Sequence, residues 1–176
     1  LESNSYIEKI KKLRLKHDTF LKDKLEEIEV CKLHFNDKFK KLDSLTKEEI
    51  LKNFVIEFSF NTASIEGNTI TLKEARNLIE EGFTPKNKTL REIYDIQNTE
   101  KVFFELLDKK EDLSHEFIIE IHKKLMDKID SRGGYRKVDV RVIKANFKST
   151  HAVYVKTDMG LLLKWYNNNK AKLHPL

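Results

Sequence analysis

The stretch Thr62-Ala-Ser-Ile-Glu66-Gly67-Asn68-Thr-Ile-Thr71-Leu-Lys-Glu74 carries the end of one helix, a short turn and the start of the next. Glu66 closes an apolar helical run, where unpaired carbonyls and the negative end of the macrodipole disfavour a carboxylate unless a cation or a task compensates. Gly67 can take the left-handed conformation that stops a helix. Thr62 and Glu66 share one helical face, so the pattern predicts a carboxylate held at a fixed point. The alternative is a solvated Glu before an ordinary glycine stop. Beyond the turn, Thr71 and Glu74 form a capping box that opens the next helix almost at once.

Working upstream, Leu21, Leu25, Ile28, Cys31, Phe35, Phe39 and Leu42 recur at helical spacing among dense charges, which predicts one or two long amphipathic helices between Tyr6 and Leu42. Thr46 with Glu49 reads as another capping box, opening a helix that carries Ile50, Leu51, Phe54, Val55 and Phe58 towards Glu66. Downstream, the helix with Leu72, Ala75, Leu78 and Ile79 should stop at Gly82, before the turn at Phe83-Thr-Pro85. Leu90 to Leu107 has an apolar face wide enough for a central helix. Ser114 can cap a further helix whose stripe of Phe117, Ile118, Ile121, Leu125, Met126 and Ile129 ends near Gly133-Gly134.

After Arg136 the period changes to two. Val138, Val140 and Val142 alternate with Asp139 and Arg141, and Ala152-Val-Tyr154-Val155 follows, which predicts one β-hairpin with an open edge. Thr157 or Asp158 would cap a last helix with Leu161, Leu162 and Trp165 inward. The fold class is therefore mainly α with one hairpin.

Composition agrees, since 36% charged and 39% hydrophobic residues with five Gly and two Pro describe long surface-charged helices. The net charge of +5 is spread along the chain rather than gathered in one block, and the helix after Thr71 has no basic, base-reading face, which argues against nucleic acid. A lone Cys31, no signal pattern and no apolar run near the ~20 residues of a membrane span lead us to expect a reducing, cytoplasmic setting without membrane contact. His122 lies beside an apolar stripe, as a structural histidine commonly does. His115-Glu116 begins like a zinc motif but has Ile119 at the fifth position, so no metal site on protein ligands is expected.

In this order the pieces resemble the Fic family, whose usual members transfer AMP from ATP to a hydroxyl side chain of a protein. Thr62-Ala-Ser-Ile-Glu66-Gly67 is similar to that family's inhibitory-helix pattern, and Asn68-Thr-Ile-Thr-Leu-Lys-Glu74 continues it as in members that carry this helix before the catalytic core. Ile121-His122-Lys-Lys-Leu125, Gly133-Gly-Tyr-Arg136 and the expected hairpin are similar to the start of the core and its target-docking flap. The resemblance implies a helical Fic-like fold. Residues 1–110 would form a helical region carrying the inhibitory motif Thr62, Glu66, Gly67 and Asn68, and residues 111–176 would begin the core. Val142, Phe147 and Tyr154 would lie on the flap. ATP and Mg, and a protein substrate with a Ser, Thr or Tyr hydroxyl, are implied for the complete family member.

One departure limits this. The family's catalytic loop, His-Pro-Phe-x-(Asp or Glu)-Gly-Asn-Gly-(Lys or Arg), does not occur in the chain, and His174-Pro175-Leu176 is not that loop. No catalytic residue is assigned, and the sequence reads as a regulatory and docking part that stops before the chemical part. In that part Glu66 would pair with an Arg of the loop and block the place of the ATP γ-phosphate. The rival expectation is an inert helical interaction module, since the seam over residues 6–42 could pair with a partner or a second copy.

Overall fold

The computed structural model describes residues 24–107, 109–141 and 148–172. Among them are six α-helices, α1 Leu25–Asp37, α2 Ser44–Ile65, α3 Leu72–Glu81, α4 Leu90–Leu107, α5 His115–Leu125 and α6 Ala152–Asn169, with a 3-10 turn at Phe39–Lys41. The chain is mainly α. It divides into two compact units, one of residues 1–50 with 164–176 and one of residues 51–163.

In the first unit, α1 buries Leu25 and Glu29, and Lys32 reaches the Glu29 carboxylate at 3.3 Å. Phe35 and Phe39 stack with ring centroids 4.7 Å apart across the join to the 3-10 turn. The start of α2 corrects the sequence reading. Asp43 accepts from the Thr46 amide at 3.0 Å, so the helix begins at Ser44 and Thr46 lies within its first turn rather than at its cap. That bond holds the exposed Asp43 carboxyl below its ordinary range.

The second unit has its core where α2, α3 and α4 meet. Ala63, Ile70, Ala75, Leu78, Ile93 and Ile96 form one buried cluster, with Phe60 and Ile79 packed against it. Ala63 and Ala75 supply the small side chains, while Ile70, in the turn between α2 and α3, is only 2% exposed and fills the corner. Arg76 of α3 donates to Asn53 of α2 at 2.7 Å, a polar tie beside this contact. Helix α3 begins with the expected capping box of Thr71 and Glu74 and ends on Gly82 at φ 71°, as its sequence predicts.

Helix α5 begins at the expected Ser114 cap, whose hydroxyl accepts from Phe117 N–H at 3.1 Å, but it ends at Leu125, short of Ile129. The buried Asn98 of α4 donates to the carbonyls of Leu125 at 3.0 Å and Asp127 at 2.8 Å, satisfying acceptors that a helix end leaves bare. Lys128 then takes φ 60° and turns the chain away.

The hairpin is the second correction. Ala152–Asn169 is helical, so Tyr154 sits in the first turn of α6 instead of on a strand, and Val138 to Arg141 with Lys148 to Thr150 contain no strand among the described residues. Val142 and Phe147 lie outside the described residues. The two arms still approach: Arg136 donates to the Thr150 carbonyl and Ser149 to the Val140 carbonyl. Asp139 explains the helix. Its carboxylate accepts from the Ala152 amide at 2.6 Å and faces His151 Nδ1 at 2.8 Å, capping α6 from thirteen residues upstream. Short β-branched runs such as Val153 and Val155 read alike as strand and helix. Within α6, Leu163 is buried, whereas Leu161, Leu162 and Trp165, read as inward, are exposed.

Ser59 of α2 is fully buried, and its hydroxyl has no hydrogen-bond partner among the described residues. Removing an unsatisfied polar group relieves its desolvation cost, so Ser59→Ala should stabilise the fold by about 1 kcal/mol. A thermal melt followed by circular dichroism checks this, and a lower midpoint would show that the hydroxyl has a use.

Candidate functional site

Helix α2 ends as the glycine predicts. Asn68 N–H donates to the Ala63 carbonyl at 3.0 Å and Gly67 N–H to the Ser64 carbonyl at 3.1 Å, with Gly67 at φ 91°. This is the paired C-terminal closure in which the residue after the glycine reaches back to the last full turn. Glu66 is thereby the capping residue, at the negative end of the helix. Thr62 and Glu66 are exposed on their outer side and both face a cavity of about 800 Å³.

That cavity lies wholly within the second unit. Phe58 of α2, Val102, Phe103 and Leu106 of α4, and Ile121 and Leu125 of α5 form its apolar wall. Phe58 and Phe103 meet at 5.5 Å between centroids, and Phe54 joins them at 5.6 Å from Phe103. Its polar end brings together the expected motif residues Thr62, Glu66, Gly67 and Asn68 with Arg91, Glu92 and Asp95 of α4.

Three residues at that end escaped the sequence reading. Glu92 receives four donors: Thr69 N–H at 3.0 Å and Thr69 Oγ1 at 2.6 Å on Oε1, Thr89 N–H at 2.9 Å and Thr89 Oγ1 at 2.8 Å on Oε2. With Glu92 N–H donating back to Thr89 Oγ1 at 3.2 Å, Thr89 and Glu92 cap α4. The signal was present as Thr89-Leu-Arg-Glu92, the same spacing as Thr71 and Glu74. Lys88 donates to the carbonyl and hydroxyl oxygens of Thr69 and stands 3.9 Å from Glu74. Asn68 Nδ2 donates to the Glu92 carbonyl at 2.9 Å and to Asp95 Oδ2 at 3.2 Å, while its Oδ1 accepts from Ile70 N–H at 3.0 Å. The turn after Glu66 is thus held on α4 from several sides.

The Thr69 hydroxyl, then the Thr89 amide, hold the Glu92 carboxyl down at about 2. Among the described residues no hydrogen bond or ion pair engages the Glu66 carboxylate, and no group of three or more His, Cys, Asp or Glu could hold a metal ion. With both Glu92 oxygens taken and one Asp95 oxygen bonded to Asn68, the polar end does not offer the donor set that Mg requires. His122 is exposed on the last turn of α5, away from any such cluster. No described helix is long and apolar enough to cross a membrane.

No protein-family model matches the chain. The chain is similar to Protein adenylyltransferase fic-1 of Caenorhabditis elegans, with 24% identity over 141 residues. That match covers 77% of this chain and 28% of the relative, so the chain spans under a third of the length of the curated protein it matches.

Glu92 also sets a pH dependence. Its folded carboxyl titrates at about 2 against an ordinary 4.5, so its contribution to stability is present above 4.5 and is lost as pH falls towards 2. The stability gap between the native chain and Glu92→Gln should therefore be widest near neutrality and close across that interval. Paired urea titrations at successive pH values measure it, and a gap independent of pH would mean that the carboxylate charge is idle.

Proposed function

We propose that the chain is the regulatory part of an autoinhibited Fic protein that transfers AMP from ATP to a hydroxyl side chain of a target protein, and that Glu66 is the inhibitory acid. The observation that carries this is the position of Glu66: a helix-capping carboxylate with no partner among the described residues, at the polar end of an open apolar cavity, one turn after Thr62. The similarity to a protein named an adenylyltransferase supports the same reading. Residues 1–110 are the regulatory region in this proposal, and residues 111–176 begin the core.

The mechanism is charge placement. A carboxylate fixed about 4 Å from a phosphate repels it by several kcal/mol at an effective dielectric of about 20. In-line attack depends on near-attack geometry, so displacing the terminal phosphate is enough to stop transfer. The base, the metal acid and the phosphate-binding cations belong to the catalytic loop, whose motif this chain lacks, and no step is assigned to them here. Target docking falls to the segment of Val142, Phe147 and Tyr154, of which Tyr154 is exposed in the first turn of α6.

The test is Glu66→Gly in the full-length protein. Auto-AMPylation should rise about tenfold or more, since removing as little as about 1.4 kcal/mol of misplacement is a factor of ten in rate. Unchanged labelling with intact ATP binding refutes the role. An inert interaction module is the second reading, favoured by the open apolar cavity. It predicts no AMP transfer from either form, with partner binding weakened by polar substitutions at Phe58 and Phe103.

A further inference from the structure

We infer that Glu92 and Thr69 are positioning residues that latch the turn Gly67–Thr71 onto α4 and so hold Glu66 at the cavity. This rests on the reading of Glu66 as an inhibitory acid and adds the device that keeps it in place.

Asn68 N–H closes α2 directly behind Glu66, and the Asn68 side chain is fixed to the Glu92 carbonyl and to Asp95. Thr69 continues the same turn with two donors on one Glu92 oxygen. The residue that shapes the helix end is therefore itself pinned to another helix, and the backbone that carries Glu66 cannot swing away from the cavity while both attachments last. The attachments differ in kind. Ile70 is buried in the core and anchors the turn permanently, whereas Thr69 is exposed and its bonds can exchange with water. A local opening that frees Asn68 and Thr69 while Ile70 stays buried would release Glu66 without unfolding the unit. Glu92 and Glu66 line the same cavity, so a cationic group entering there competes with Thr69 for the Glu92 oxygen at the moment it meets Glu66.

Glutamine at position 92 distinguishes a latch from general support. An amide keeps one acceptor oxygen and replaces the other by a donor, which cannot serve the four donors of Thr69 and Thr89 together. In the full-length protein, Glu92→Gln should speed amide exchange at Thr69 by roughly tenfold while the slowest core amides are unchanged. AMP labelling should rise towards that of Glu66→Gly, and the double variant should label no more than Glu66→Gly alone, because the latch acts only through that acid. Thr69→Val, which removes one donor to Oε1, should move labelling in the same direction and serves if Glu92→Gln does not fold. Faster exchange with labelling unmoved, in a protein where Glu66→Gly does raise labelling, overturns the latch and leaves the inhibitory acid standing. Labelling that Glu66→Gly does not raise removes the inhibitory acid, and the positioning role with it. Equal effects of Glu92→Gln with and without Glu66 overturn the latch in favour of a purely structural cap.

Discussion

One carboxylate ties the start of α4 to the turn between α2 and α3 in the second unit. Glu92 has two oxygens and four donors, two from the threonine that caps its own helix and two from a threonine 23 residues away in sequence. The first pair satisfies the Thr89 amide, which the start of α4 would otherwise leave open, and a negative charge there also complements the helix dipole. The second pair ties the turn that follows α2 to the start of α4. Burial of Ile70 brings the corner together, but a methyl-lined contact is non-directional, and the hydrogen bonds choose the register. Lys88 completes the arrangement by donating to Thr69 and standing near Glu74, so one cation links the turn to the capping box of α3.

The rest of the unit uses the same economy less strictly. Lys124 reaches both Glu105 and Glu120, and Lys109 reaches Glu120, which joins α5 to α4 and holds the Glu120 carboxyl at about 2. These pairs are only half-buried, and ion pairs so open to water contribute little to stability. The buried Asn98 amide on two carbonyls at the end of α5 is the stronger joint, because breaking it would strand acceptors away from water. Together the joints hold three helices around a cavity that apolar packing alone would tend to close.

Much of this is written in local chemistry. The spacing of Thr71 to Glu74, of Ser114 to Phe117, and the glycines at positions 67 and 82 each decide a helix end within a few residues, and each is found where its residue types require. The Thr89 to Glu92 box has the same form and was legible. What could not be read is any cap supplied across the chain. Asp139 caps α6 from thirteen residues away, and without it the run from Ala152 to Val155 is as good a strand as a helix. The Asn98 staple is equally silent, since nothing near position 98 says which carbonyls it will meet. For the same reason the motif residues Thr62 and Glu66 were foreseen on one face, while Arg91, Glu92 and Asp95 beside them were not.

The sign of the field at the cavity's polar end follows from this inventory. Glu66, Glu92 and Asp95 bring three carboxylates, and the carbonyl end of α2 adds to them. Against them stand Arg91 and the start of α4, where the amides of Thr89 and Glu92 are already taken by the capping box. A phosphate chain approaching here would meet net negative charge, whereas a guanidinium or ammonium would find an unengaged acceptor at Glu66. Such a site favours cations and disfavours anions without any moving part. An exposed side chain keeps its own rotamers, so what the hydrogen bonds fix is the backbone from which the Glu66 carboxylate extends. Fixing the turn on α4 keeps an acid at a helix end, a mildly unfavourable placement by itself, within side-chain reach of the cavity.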